Sequence, residues 1–210
     1  MPSSKQIVRL GYNRISHHYR DDKGAGLDAK YRKYWLREVD RRLDKGSRIL
    51  ELGCGMGVPV AGYFTRKHKY LGIDISDVQI QRAKKLVPAA SFKRVDMARL
   101  RFKTETFDAI LSFYSIIHLP LDEQKPLFRK IFRWLKPGGL FLSILGRGRW
   151  TGREKNWFGT TMFWSHADQE TYDQWLIKVG FKIIRKALVR EGTGGHYQFL
   201  CLKPSEIFGS

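Results

Sequence analysis

Three carboxylates and one histidine follow short apolar runs, where the ends of buried strands would converge. They are Glu51 in Ile49-Leu50-Glu51-Leu52, Asp74 after Leu71-Gly72-Ile73, Asp96 after Phe92-Lys93-Arg94-Val95, and His118 after Ser115-Ile116-Ile117. Glu51 also stands two places before the first of three alternating glycines, Gly53, Gly55 and Gly57, with Cys54 and Met56 between them. Glycines at a strand end let the backbone approach a ligand and aim N–H groups at it. A phosphate loop of the GxxxxGK[ST] kind needs a Lys-Ser or Lys-Thr, and none follows. A dinucleotide fingerprint needs a glycine at the sixth position, where Val58 stands. Glu51 would also repel a pyrophosphate, whereas it would attract a ligand carrying an ammonium and a sulfonium. Cys54 offers its backbone in such a loop, and with no base partner in view a nucleophilic thiol is disfavoured.

Alternating strands and helices must position these groups. Residues 5–20 read as a helical arm with Tyr12 and Tyr19, broken by Arg20-Asp-Asp-Lys-Gly-Ala-Gly. A second helical period runs from Leu27 to Leu43 through Tyr31, Tyr34, Trp35 and Val39. Strands are then expected around 48–52, 70–74, 91–96, 107–115 and 140–146, with helices between them. The run Phe107-Asp-Ala-Ile-Leu-Ser-Phe-Tyr-Ser is apolar enough for burial on both faces. A helix stopped at Gly180 and two strands joined by Glu191-Gly-Thr-Gly-Gly close the pattern. The expected fold is α/β: a doubly wound, Rossmann-like seven-stranded sheet, mostly parallel, with an antiparallel C-terminal strand and helices on both faces. Residues 1–210 read as one domain: an arm or lid over 1–45, a core over 46–146, an aromatic loop over 147–167, and a C-terminal helix and hairpin over 168–204.

The segment ELGCGMG resembles the first motif of the class I S-adenosylmethionine (SAM)-dependent methyltransferases, an acid, one spacer and GxGxG, at every position. FDAILSFYSIIHLP resembles the fourth motif, LFRKIFRWLKPGGLFL the entry to the fifth strand, and GYNRISHHYR the arm that some small-molecule members fold over the cofactor. The resemblance implies that Asp74 binds both ribose hydroxyls and that Asp96 receives the adenine amino group. It places Met97 and Ile75 beside the base. Glu51, Gly53, Cys54, Gly55, Gly57 and Phe113 would complete the cofactor set, with Tyr12 and Tyr19 as lid residues. The resemblance implies SAM as cofactor and S-adenosylhomocysteine (SAH) as its product.

Methyl transfer from a sulfonium is an in-line displacement, which needs alignment, exclusion of water and, for a weakly acidic hydroxyl, a base. His118 is the first candidate base and Tyr114 the second, with His166 and His196 behind them. An Asn/Asp/Ser-Pro-Pro-Tyr/Phe motif would mark amino methylation of nucleic acids or glutamine, but that place reads Ser112-Phe113-Tyr114-Ser115. Trp150, Trp157, Phe158, Met162, Phe163 and Trp164 would wall an apolar acceptor pocket, with Arg147 at its edge for an anionic group. The expected acceptor is therefore a small molecule, largely apolar, with an anionic or aromatic part. An RNA or protein methyltransferase and a non-catalytic SAM-binding subunit remain as alternatives. Lys and Arg number 39 against 20 acids, a formal net charge of +19, which attracts polyanions. The bases are spread along the chain without a low-complexity tail, so nucleic acid is not the favoured partner. No signal peptide or membrane span is read. The two cysteines lack metal-ligand spacing and suit reduced thiols, so the expectation is a cytoplasmic monomer or homodimer without a metal.

Overall fold

The computed structural model describes residues 2–20, 22, 29–192 and 194–205, for 29–32 the backbone alone. The expected helix start at Leu27, most of the break before it and the side chain of Tyr31 lie outside the described residues. In chain order the elements are α1 (Ser4–Tyr19), α2 (Ala29–Asp40), β1 (Arg48–Leu52), α3 (Val60–Phe64), β2 (Lys69–Asp74), α4 (Asp77–Leu86), β3 (Ser91–Arg94), β4 (Phe107–Ser112), α5 (Leu121–Trp134), β5 (Leu135–Gly146), β6 (Trp150–Trp157), β7 (Thr160–His166), α6 (Gln169–Val179), β8 (Lys182–Glu191) and β9 (Gly194–Leu202).

Seven strands form one sheet in the order β3-β2-β1-β4-β5-β9-β8. The first five are parallel, and β9 runs antiparallel to both β5 and β8. Side chains of a strand alternate between faces, and both faces here are buried. On β1, Ile49 joins the core formed with α2 and α3, while Leu50 and Leu52 join Phe128, Phe141 and Leu176 on the other side. Glu51 shares the face of Ile49. Strand order reverses between β1 and β4, and a ligand crevice opens at such a reversal, beyond the carboxyl ends of the strands.

Two local features differ from the sequence reading. The Lys136-Pro-Gly-Gly turn is a register irregularity inside β5, with Gly138 in the left-handed region at φ +77°. Residues 147–167 are not a loop: β6 and β7 pair as a separate two-stranded hairpin. Phe158 and Gly159 turn it, both at positive φ as a twisted two-residue turn demands.

Helix α1 lies on this hairpin and on α4. Ser3 and Gln6 close a capping box at its start. Ile7, Val8 and Ile15 pack with Met162 and Phe163 in a third apolar cluster, apart from the two sheet cores. Gly11 permits the close approach, since a Cβ there would lie 2.8 Å from Met162 Cε. On the other flank Ser76 Oγ donates to Asn13 at 2.6 Å, and Ser16 Oγ donates to Gln79 at 3.0 Å. The Arg82 guanidinium donates to both the carbonyl and the hydroxyl of Ser16.

Candidate active site

Under α1, above the ends of β1 to β4, lies a cavity of about 970 Å³, part of it open to solvent. Glu51, Gly53, Cys54, Gly55, Asp74, Ile75, Asp96, Met97, Phe113, Tyr114, His118, Tyr12 and Tyr19 all line it. Gly57 does not. It turns the chain against Phe92, whose ring would meet an added Cβ at 2.9 Å.

The glycine loop works differently from a cradle of free N–H groups. The N–H groups of Gly53 and Cys54 both donate to the Ile73 carbonyl at 2.8 and 2.9 Å, and that of Gly57 donates to Cys54 at 3.0 Å. Gly55 donates to Asp74 Oδ2 at 2.9 Å. What the loop offers is space: Gly55, at φ +53°, has nothing within 4 Å of where a Cβ would point. Gly53, at φ +74°, is needed because a side chain would overlap Ser115. Ser115 itself bonds Ser112 Oγ at 2.7 Å and the Leu52 carbonyl, which joins the loop to the end of β4.

Three carboxylates face this space from adjacent strand ends. Glu51 is buried and accepts from the Tyr70 hydroxyl on β2. Asp74 accepts from Gly55 through one oxygen and from the Ser76 N–H at 2.8 Å through the other. Burial pushes the Asp74 carboxyl above its ordinary range, although the backbone N–H bonds oppose the shift. Asp96 accepts from the Ala98 N–H at 2.9 Å and from Lys5 Nζ at 2.7 Å. Burial and the neighbouring Asp74 and Glu51 push the Cys54 thiol well up, so it is inert at neutral pH.

His118 is buried, with 6% of its surface exposed, and both ring nitrogens are engaged. Nδ1 lies 2.7 Å from the Phe163 carbonyl, which can only accept, so Nδ1 carries the proton. Nε2, 2.8 Å from the Tyr12 hydroxyl, therefore accepts. Burial holds the imidazole down to about 4, assisted by His196 and opposed by the Phe163 carbonyl. The ring is neutral at physiological pH, and Tyr12 stands beside it on the cavity wall. Tyr114 sits at φ +55°, a strained value for a tyrosine, and donates to Glu191 with its ring edge-on to His196.

The aromatic segment lies behind the cavity wall. Trp150, Trp157, Phe158, Met162, Phe163, Trp164 and Arg147 do not line the cavity, because α1 occupies the side of the hairpin that would face it. Trp157 packs on Tyr12 and Tyr19, with ring centroids 5.8 and 5.1 Å apart, and Trp164 lies 4.2 Å from the His118 ring. Met162 is fully buried against Gly11, while Trp150, Phe158 and Arg147 are exposed. The segment supports the wall from behind. Sequence reasoning missed Lys5, Tyr70 and Ser115, whose partners are distant in sequence.

Residues 49–139 match the sequence model of a family described as a methyltransferase domain. Over these residues the chain is similar to methyltransferase domains. Phosphoethanolamine N-methyltransferase 1 of Triticum aestivum is 32% identical over 154 residues, covering 69% of this chain and 28% of that protein. A sterol 24-C-methyltransferase of Aspergillus fumigatus is 32% identical over 107 residues, covering 47% and 28%. The chain thus spans less than half the length of the curated relatives it matches. The fold is shared with magnesium protoporphyrin IX methyltransferase from Synechocystis PCC 6803 with bound SAM, at TM-score 0.73 and 16% identity over 97% of this chain and 98% of that one. It is shared equally with the [4+2]-cyclase SpnF, at TM-score 0.72 and 20% identity over 98% and 97%. One fold thus carries different reactions, and activity must be argued from the site. Among the described residues, no cluster of His, Cys, Asp or Glu could hold a metal, and no helix is long and apolar enough to cross a membrane.

Proposed function

We propose that this protein transfers a methyl group from SAM to a small-molecule acceptor. The observation that carries the reading is the trio of carboxylates, Glu51, Asp74 and Asp96, around the open space at Gly55 in a chain of net charge +19. That set of acceptors suits an ammonium, a pair of ribose hydroxyls and an exocyclic amine, and it opposes a polyphosphate. When bound, the cofactor supplies an electrophilic methyl group on a sulfonium. Glu51 attracts the charged methionine end, Asp74 orients the ribose and Asp96 the adenine, with Ile75 and Met97 against the base. Helix α1 covers the site and excludes water.

Tyr12 and His118 handle the acceptor's proton. The Tyr12 hydroxyl gives its hydrogen to His118 Nε2, so its oxygen lone pairs can receive a proton from an acceptor O–H or N–H. As that proton arrives, Tyr12's own hydrogen passes to His118 Nε2, so the phenol stays neutral and the imidazole takes the charge. His118 acts behind Tyr12 rather than on the acceptor directly. An enclosed site beneath a docked helix favours a small acceptor over a polymer, and the names of the relatives point the same way. Arg20 on the cavity wall, stacked on the Tyr19 ring, suits an acceptor with an anionic part. Two buried free thiols, Cys54 and Cys201, suit a reducing, cytoplasmic setting.

The test is incubation with radiolabelled SAM and phosphoethanolamine, a sterol, and cell extract split into small molecules, RNA and protein. Label in the small-molecule fraction is expected. Label confined to RNA or protein would overturn the acceptor class, and absence of SAH binding by calorimetry would overturn the cofactor.

A further inference from the structure

The acid expected to receive the adenine amino group is already engaged by the lid. Lys5, in the first turn of α1, places its ammonium 2.7 Å from Asp96 Oδ2 and also pairs with Glu123 in the first turn of α5. Lys5 and Asp96 both line the cavity. Burial opposes the Lys5 charge, but the bonds to Asp96 and Glu123 outweigh it and hold the ammonium above its ordinary range. The bridge joins three pieces of chain far apart in sequence, and its side chains are about one-fifth, one-seventh and one-third exposed.

We propose that Lys5 is a cofactor-retaining clasp. It ties closure of α1 to the carboxylate that reads the purine amino group. This rests on the SAM reading above and goes beyond it, since nothing in that reading requires the lid to touch Asp96. A carboxylate has about four lone-pair sites. The Ala98 N–H and Lys5 use two, and exposed Arg99 stands off at 3.7 Å, so Asp96 keeps room for an adenine N–H while Lys5 stays in place. The adenine and the lid then share one anion, and neither leaves without crossing the other. The remainder of the α1 contact with α4 is hydrogen-bonded or apolar, apart from the long Arg9–Asp77 pair at 3.8 Å and the Arg82 contacts. The ionic part of lid closure near the adenine therefore falls to Lys5.

The probe is SAH, whose release is followed by stopped-flow displacement and whose affinity is measured by calorimetry. Lys5→Met should speed SAH release about tenfold, the scale of one partly buried bond to a charged group. Glu123→Gln should speed it by a smaller factor, although Glu123 does not line the cavity. Lys5→Arg should restore most of the retention. Raising salt from low to high ionic strength should speed release from the wild type and leave Lys5→Met almost unchanged. A merely structural role for Lys5 would not give the salt difference or the arginine rescue. Release at the wild-type rate from both Lys5→Met and Glu123→Gln, each still folded by circular dichroism, overturns the clasp. Slower release from Lys5→Met overturns it too, because Lys5 would then compete with adenine. If the wild type bound no SAH, the cofactor reading would fall and the clasp with it.

Discussion

Replacing His118 with glutamine should flatten part of the acid sensitivity of folding. Glutamine keeps an acceptor for Tyr12 and a donor for the Phe163 carbonyl but does not titrate in this range. The imidazole moves from 6.5 in the unfolded chain to about 4 in the fold, a shift of about 2.5. At 1.36 kcal/mol per unit that is about 3 kcal/mol. The sign follows from which state binds the proton. Above pH 6.5 both states are neutral at this site and its contribution is fully present. Between pH 6.5 and 4 the unfolded chain takes up a proton that the fold refuses, so stability is lost as pH falls through this window. Urea unfolding of both proteins at steps from pH 7.5 to 4 measures the effect, and subtracting the curves removes the shared carboxylates. The stability gap between wild type and His118→Gln should narrow by about 3 kcal/mol across the window. A constant gap, or an imidazole NMR signal titrating near 6.5, would refute the buried neutral histidine and the Tyr12 relay built on it.

Other expectations are more local. Gly53→Ala combines a positive φ costing about 1–2 kcal/mol with an overlap on Ser115, so Tm should fall by several degrees, and Ser115→Gly in the same chain should recover part of it. Full recovery would remove the backbone term. Asp74→Asn exchanges an oxygen that accepts for a group that donates, and should weaken SAH binding by roughly ten- to a hundredfold in calorimetry. Unchanged affinity would take Asp74 out of the cofactor site. Cys54 in the folded protein should resist iodoacetamide at pH 8, and Cys54→Ala should keep methyl transfer; rapid alkylation would contradict its depth and its raised thiol.

The parallel core was legible in sequence because its strands are continuous apolar runs, such as Ala109-Ile110-Leu111, and the first three of them end at acids. Those acids announced the cavity for the same reason: few other positions put a carboxylate beside so much apolar chain. The hairpin was not legible. β6, Trp150-Thr-Gly-Arg-Glu-Lys-Asn-Trp, is exposed along nearly its whole length and shows no alternation, so a period-based reading saw only an aromatic connector. Asn156 and Phe158 at positive φ could be anticipated only in part, from the Phe158-Gly159 pair. The pairings of Glu51 with Tyr70 and of Lys5 with Asp96 depend on how elements cross, which residue spacing does not encode.

The third apolar cluster has a consequence for how the molecule opens. Helix α1 and strand β7 share it, and it is separate from the cores on either side of the sheet. A unit with its own small core can detach without breaching the larger ones. Helix α1 and the hairpin would then leave the sheet together, as a cap hinged at the chain that enters and leaves β6–β7. Cofactor and acceptor would gain entry through the same event, and the order in which they arrive would be set by which one the cap can close upon.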